Sequence, residues 1–163
     1  MAMQGHEEGI AQLEECLSSG RITGLKVIRP YWLCALADAC GKVGRFERGF
    51  DALSEALTLA DENDNRYCEP ETYRPKGELL FMQNGSNVEE AENWFRRAIE
   101  IARTRSAKSW ELRATMSLAR LLSKQGHREE ARTMLAEIYG WFTEGFDTAD
   151  LKDAKALLDE FSG

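Results

Sequence analysis

The chain has few of the residues that usually anchor chemistry. Its four cysteines, Cys16, Cys34, Cys40 and Cys68, form no C-x-x-C pair, and its two histidines, His6 and His127, stand alone. Zinc sites need clustered ligands at short spacing, so no metal site is expected. Scattered thiols of this kind read as small buried or half-buried side chains in a reducing cytoplasm. No apolar run reaches the ~18 residues that a membrane-spanning helix needs. The opening residues, MAMQGHEEGI, lack a basic stretch followed by an apolar one, so no secretory signal is expected. Alternating β-branched runs are missing, which argues against sheet folds. A phosphate loop, G-x-x-x-x-G-K-[ST], is missing too: the nearest candidate, Gly41-Lys42, continues as VGRF. With no phosphate loop and no nucleophile beside a base, neither a cofactor nor catalysis is expected.

Positive charge is also short. The net charge is −7 at pH 7. Phosphate neutralisation needs a basic surface, so a general nucleic-acid partner is not expected. The charge is uneven. From Arg96 to Arg132 there are ten Lys and Arg against four Asp and Glu; from Gly140 onward there are two against six.

What the chain does have is a repeat. Gly9, Gly49, Ala91 and Ala131 are spaced by 40, 42 and 40 residues. Four residues after each come Leu13, Leu53, Phe95 and Leu135, and seven after each come Cys16, Ala56, Ala98 and Ile138. Positions i, i+4 and i+7 share one helical face. Gly44, Gly85 and Gly126 mark turns before the later copies, and Asn87 with Glu90 has capping-box spacing. Between the copies lie further helical stretches, YWLCALADACGKVG, KGELLFMQNG and WELRATMSLARLLSKQG. Each unit is therefore a helix pair, A then B, and stacked pairs bury a face that one pair cannot. The expectation is one all-α domain over residues 1–163. Residues 1–20 form a partial first repeat, and residues 149–162 a final capping helix.

The pattern small–x3–large–x2–small after a glycine turn resembles the tetratricopeptide repeat, whose unit has ~34 residues. The resemblance implies a helical-hairpin solenoid of about 3.5 repeats, here of 40–42 residues. A closer resemblance rests on three stretches: YRPKGELL, AENWFRRAIEIARTRSAKSWELRATMSLARLLSKQGHREEAR and YGWFTEGFDTADLKDAKALLDEF. These are similar to the C-terminal end of a bacterial family of large signalling ATPases, often fused to class III adenylate cyclase domains. That family carries long tetratricopeptide-like tails. The resemblance implies a tail module that holds a partner and lacks the catalytic parts. Pro75 stands where the family has an apolar residue. Proline lacks the amide proton and restricts the residue before it, so the third A helix is expected to start at or just before Pro75, or to kink there.

The stretch YGWFTEGFDT crowds aromatic rings around two glycines. Tyr139 and Phe142 continue the apolar face of the last B helix. Gly145 is expected to end that helix, and Asp147 or Thr148 to cap the next. Leu151, Ala154, Leu157, Leu158 and Phe161 then form one stripe. The rings read as a plug under this capping helix, with Trp141 the most exposed.

In tetratricopeptide-like stacks the A helices line the concave side. The resemblance therefore implies a partner surface of Tyr31, Cys34 and Asp38, then Arg74, Glu78 and Phe81, then Arg113, Met116, Arg120 and Lys124. Arg113, Arg120 and Lys124 lie at i, i+7 and i+11, one helical face. Arginine forks suit carboxylates, so the expected partner is a protein or an acidic peptide. Self-association is the alternative, with the acidic C-terminal helix of one copy on the basic face of another.

Overall fold

The structure is a computed structural model that describes residues 2–19, 28–62, 69–83 and 87–163, with side chains from residue 7 onward. Cys68, Gly85 and the His6 side chain lie outside the described residues. Among the described residues there is no strand, and eight helices follow one another. They are α1 (Ala2–Ser18), α2 (Arg29–Lys42), α3 (Phe46–Glu62), α4 (Glu69–Gln83), α5 (Val88–Thr104), α6 (Lys108–Lys124), α7 (Arg128–Tyr139) and α8 (Ala149–Ser162). The fold is all-α.

Each helix packs on the next along the chain. In addition α2 packs on α4, α4 on α6, and α6 on α8, while no pair of odd-numbered helices packs to a comparable extent. The even helices thus form an inner row and the odd ones an outer row. The patterns explain the split. In α5, Ala91, Phe95, Ala98 and Ala102 are buried on one face, while Arg96, Arg97, Glu100 and Arg103 stay exposed on the other. Helix α6 meets α4, α5, α7 and α8, and every residue from Ala114 to Ala119 is buried.

Two apolar clusters result. One joins α1 to α4 through Ile10, Leu33, Leu36, Leu53 and Leu79; the other joins α4 to α8 through Phe95, Leu112, Leu118, Leu135 and Phe161. Phe50 packs against both, and α4 supplies Leu79 to one and Leu80 to the other. Close approach needs small residues. A Cβ on Gly49 would lie 2.9 Å from Leu79, and one on Gly77 would lie 2.6 Å from the Phe95 ring. Two inner-row helices, α2 and α6, end in the same way. Gly44 and Gly126 take positive φ, and the next amides, of Arg45 and His127, reach back to the carbonyls of Cys40 and Leu122. These are Schellman ends.

Several expectations change. Gly49, Ala91 and Ala131 are buried at helix contacts as the repeat requires, but Gly9 has open space where its Cβ would be. In α1 it is Ile10 and Leu17 that are buried, and Cys16 is exposed, so the first copy is turned by one residue. Helix α4 begins at Glu69, six residues before Pro75, and Pro75 lies buried inside it. Its early start is compatible with proline chemistry, because Pro70 occupies the first turn, where no amide partner is needed. Helix α7 ends at Tyr139, before Gly145, although Gly145 does take φ +76°. Thr148 is the N-cap of α8, but its hydroxyl donates to the Gly145 carbonyl instead of accepting from the helix. Asn87 is the N-cap of α5 without a side-chain cap bond, because its φ −93°, ψ 28° is not the extended conformation that aims a cap inward. Of the rings in the last turn, Tyr139 and Phe142 pack against the core. Trp141 is 58% exposed and Phe146 46%, so the plug is built from half the rings.

Candidate functional site

The inner row carries a groove of about 580 Å³, walled by α2, α4, α6 and α8. Its lining follows helical spacing. Helix α2 supplies Tyr31, Cys34 and Asp38; α4 supplies Glu71, Arg74 and Glu78; α6 supplies Arg113, Met116, Ser117 and Arg120; α8 supplies Asp150 and Asp153. Apart from the adjacent Met116 and Ser117, neighbours within each helix lie three or four residues apart, which is one face. Tyr31, Asp38, Arg74, Glu78, Arg113 and Arg120, expected to lie together, all line this groove. Lys124 and Phe81 line a neighbouring cavity of about 590 Å³, bounded by α4, α6 and α8. Arg120 and Glu78 line both.

The electrostatics differ from a basic face. An alternating chain of charges crosses all four helices. Lys42 Nζ lies 3.4 Å from Asp38, and Asp38 lies 3.4 Å from Arg74. Arg74 lies 3.0 Å from Glu71, Glu71 lies 3.3 Å from Arg113, and Arg113 lies 2.8 Å from Asp150. Arg74 grips Glu71 with two donors, Nε and Nη2, a forked geometry. Ser117 Oγ donates to Glu78 at 2.5 Å. The groove holds four cations, Lys42, Arg74, Arg113 and Arg120, against five carboxylates, Asp38, Glu71, Glu78, Asp150 and Asp153. The expected convergence of unpaired cations is therefore replaced by internal neutralisation.

The ionisation of the two half-buried arginines follows from these contacts. Burial alone would lower the Arg74 pKa, but Glu71, Asp38 and Glu78 together outweigh it and hold it well above the ordinary value. For Arg113 burial again lowers the pKa, and the hydrogen bond to Asp150 with the charges of Glu71 and Asp150 reverses the shift. Both stay charged at any pH the fold survives.

Arg120 is the exception. It is exposed and makes no ion pair or hydrogen bond with a described residue. Its neighbour Lys124 places Nζ 4.6 Å from the Phe81 ring centroid, a cation–π contact. The second cavity also has an apolar wall of Met82, Leu157 and Phe161, with Met82 42% exposed.

The chain matches no protein-family model and no curated protein. Among the described residues no group of three His, Cys, Asp or Glu is placed to hold a metal ion. No described helix is long and apolar enough to cross a membrane. Cys34 is buried in the groove wall, with Sγ 3.4 Å from the Thr72 hydroxyl. Trp141 sits away from the groove, with Lys108 Nζ 5.7 Å from its ring centroid.

Sequence reasoning missed Glu71 and Asp150. Starting the helix at Pro75 left Glu71 outside it, although Glu71, Arg74 and Glu78 have the i, i+3, i+7 spacing of one face. Asp150 belongs to the acidic helix that the self-association alternative offers to another copy, yet it closes on Arg113 of its own chain.

Proposed function

We propose that this chain is a non-catalytic protein-interaction module, and that a segment of its partner lies in the groove across α2, α4, α6 and α8. The observation that carries the reading is the groove itself. It runs over the inner row and gathers side chains from four successive even helices. A volume of about 580 Å³ lies within the ~300–1,000 Å³ range of ligand clefts, and polar groups at several depths suit an extended chain. The stacked pairs, with small Gly49, Ala91 and Ala131 at helix contacts, support a tetratricopeptide-like solenoid. The three quoted stretches that resemble tails of bacterial signalling ATPases and cyclases support a regulatory or partner-binding tail. Self-assembly is the second reading. One of the carboxylates that α8 would offer to a neighbouring copy, Asp150, is held within the same chain, while Asp153 stays exposed.

The test is a photo-crosslinking amino acid placed at Ala35, in the groove wall, and separately at Glu100, exposed on α5. In lysate of the source cells, the Ala35 position should trap partner segments that the Glu100 position does not. Equal trapping at both positions removes the groove reading. Solution mass across a concentration series separates self-assembly, which requires a mass that rises with concentration.

A further inference from the structure

The six charges that cross the inner row, Lys42, Asp38, Arg74, Glu71, Arg113 and Asp150, are spent on one another. Arg120 is left over. It is two helical turns beyond Arg113 on α6, exposed, and without a partner among the described residues. It stands where the groove opens into the second cavity and lines both. On the far side the wall turns apolar: Phe81, Met82, Leu157 and Phe161. An unpaired guanidinium beside an apolar hollow is a two-part site. The fork takes a carboxylate with two parallel bonds, and it is charged at every working pH. The exposed methionine adapts its shape to an incoming apolar side chain.

The surroundings select against polyanions. The second cavity sets Arg120 and Lys124 against Glu78 and Glu160, a balance of zero, and Asp153 flanks Arg120 in the first. A phosphate backbone or an anionic bilayer needs a continuous positive surface and would meet these carboxylates at once. A single carboxylate can reach Arg120, which has no ion pair among the described residues, without that repulsion.

We propose that Arg120 anchors one carboxylate of an extended partner peptide, while the large apolar side chain next to it enters the Phe81–Met82–Leu157–Phe161 cavity. The partner segment is thus an acidic residue beside a leucine, methionine, isoleucine or phenylalanine. This rests on the groove being the partner surface, and it names the end of the groove that selects sequence.

The experiment selects a library of short displayed peptides on the immobilised whole chain, then measures the enriched peptide, fluorescein-labelled, by polarisation. The expected motif pairs an acidic with a large apolar residue. Arg120→Ala should weaken that peptide by roughly 10-fold or more, the size of a lost charge-assisted bond. Arg120→Lys should recover part of the loss, and Met82→Ala should weaken binding while keeping the acidic preference. Arg97→Ala, on the exposed face of α5, should change nothing. Arg120 is exposed, so its variants should keep the helical circular dichroism of the parent. Peptides whose binding is blocked by Ala35→Trp in the groove wall, yet unchanged by Arg120→Ala, overturn the anchor and leave the groove reading standing. Peptides insensitive to both variants overturn both. Absence of any enriched peptide, or binding of single-stranded RNA or anionic vesicles with the same dependence on Arg120, also overturns the proposal.

Discussion

Arg74→Ala is the substitution that most directly tests the charge chain. The Arg74 side chain is 14% exposed, and that of its main partner Glu71 is 6% exposed. Removing Arg74 takes both forked donors from Glu71 and leaves it with Arg113 alone at 3.3 Å. It also strips Asp38 of its cross-helix partner and Glu78 of a weaker one. Removing one partner of a buried ion pair costs about 3–5 kcal/mol, because a charge is left without compensation. Here Arg113 remains and water reaches the groove, so the low end applies, about 3 kcal/mol. At roughly 2–4 °C per kcal/mol for a chain of this size, the melting temperature should fall by about 6–12 °C. The double variant Arg74→Met with Glu71→Gln should recover much of the loss, since paired neutralisation removes the orphan charge. The control is Arg97→Ala. Its pair with Glu100 is 55% and 67% exposed, and such pairs contribute ~0–1 kcal/mol. No pH change imitates the mutation. The folded Arg74 pKa is raised, so its contribution is complete below the unfolded arginine value and fades only in alkali beyond the fold's range. Calorimetric melting at two salt concentrations is the assay. An Arg74→Ala melt within error of Arg97→Ala would refute the view that the chain of charges holds the inner row in register.

Gly77→Ala should destabilise by about 1–3 kcal/mol, because its Cβ would sit 2.6–3.0 Å from the Phe95 ring in a packed core. Gly9→Ala meets open space and should instead stabilise α1 by up to ~1 kcal/mol; paired thermal melts with the same sign would contradict the packing. Thr115→Val should stabilise by roughly 1 kcal/mol, because the buried Thr115 hydroxyl has no hydrogen-bond partner among the described residues. Urea midpoints are the measurement, and a loss of stability would mean that the hydroxyl is bonded in solution. Stability should also decline in alkali. Burial pushes the Cys40 thiol up, and burial followed by the charge of Glu69 pushes the Tyr73 hydroxyl up. Their folded pKa values exceed the unfolded ones, so stability is full below about pH 8.5, where the unfolded thiol begins to ionise, and falls above it. Cys40→Ala should flatten the part of that decline that begins near pH 8.5, as read from melts between pH 7.5 and 10.

The helical pairing was legible because it repeats: Leu53, Phe95 and Leu135 return at one spacing and are all buried within 2% exposure. The turn of the first copy was not legible. Gly9, Leu13 and Cys16, or Ile10, Leu13 and Leu17, satisfy a helical face, and contact with α2 decides between them. Proline misled more seriously. Pro75 was weighed as a local breaker, but a helix interior tolerates it when tertiary burial outweighs the lost bond, and Pro75 is buried. A helix begun at Pro75 leaves out Glu71, and with it the charge balance of the groove.

The basic stripe on α6 shows why a count of charges along one helix is a poor guide in a fold of stacked helices. Contacts across the inner row join residues about one repeat apart: Asp38 to Arg74 is 36 positions, Glu78 to Ser117 is 39, Glu71 to Arg113 is 42, and Arg113 to Asp150 is 37. Neighbouring helices present equivalent positions to one another, so the partner of a groove residue is found by stepping one period along the chain. Arg74 and Arg113 meet carboxylates in this way, and the sequence carried that signal. The same steps taken from Arg120 land behind it on Glu78, 42 positions away and already met by Ser117 and Arg74, and ahead on Leu157, 37 positions away, which lines its cavity. Apolar side chains cannot neutralise a guanidinium. With Glu78 engaged by Ser117 and Arg74, and Leu157 apolar, Arg120 keeps no ion pair among the described residues, which leaves it open to a molecule from outside.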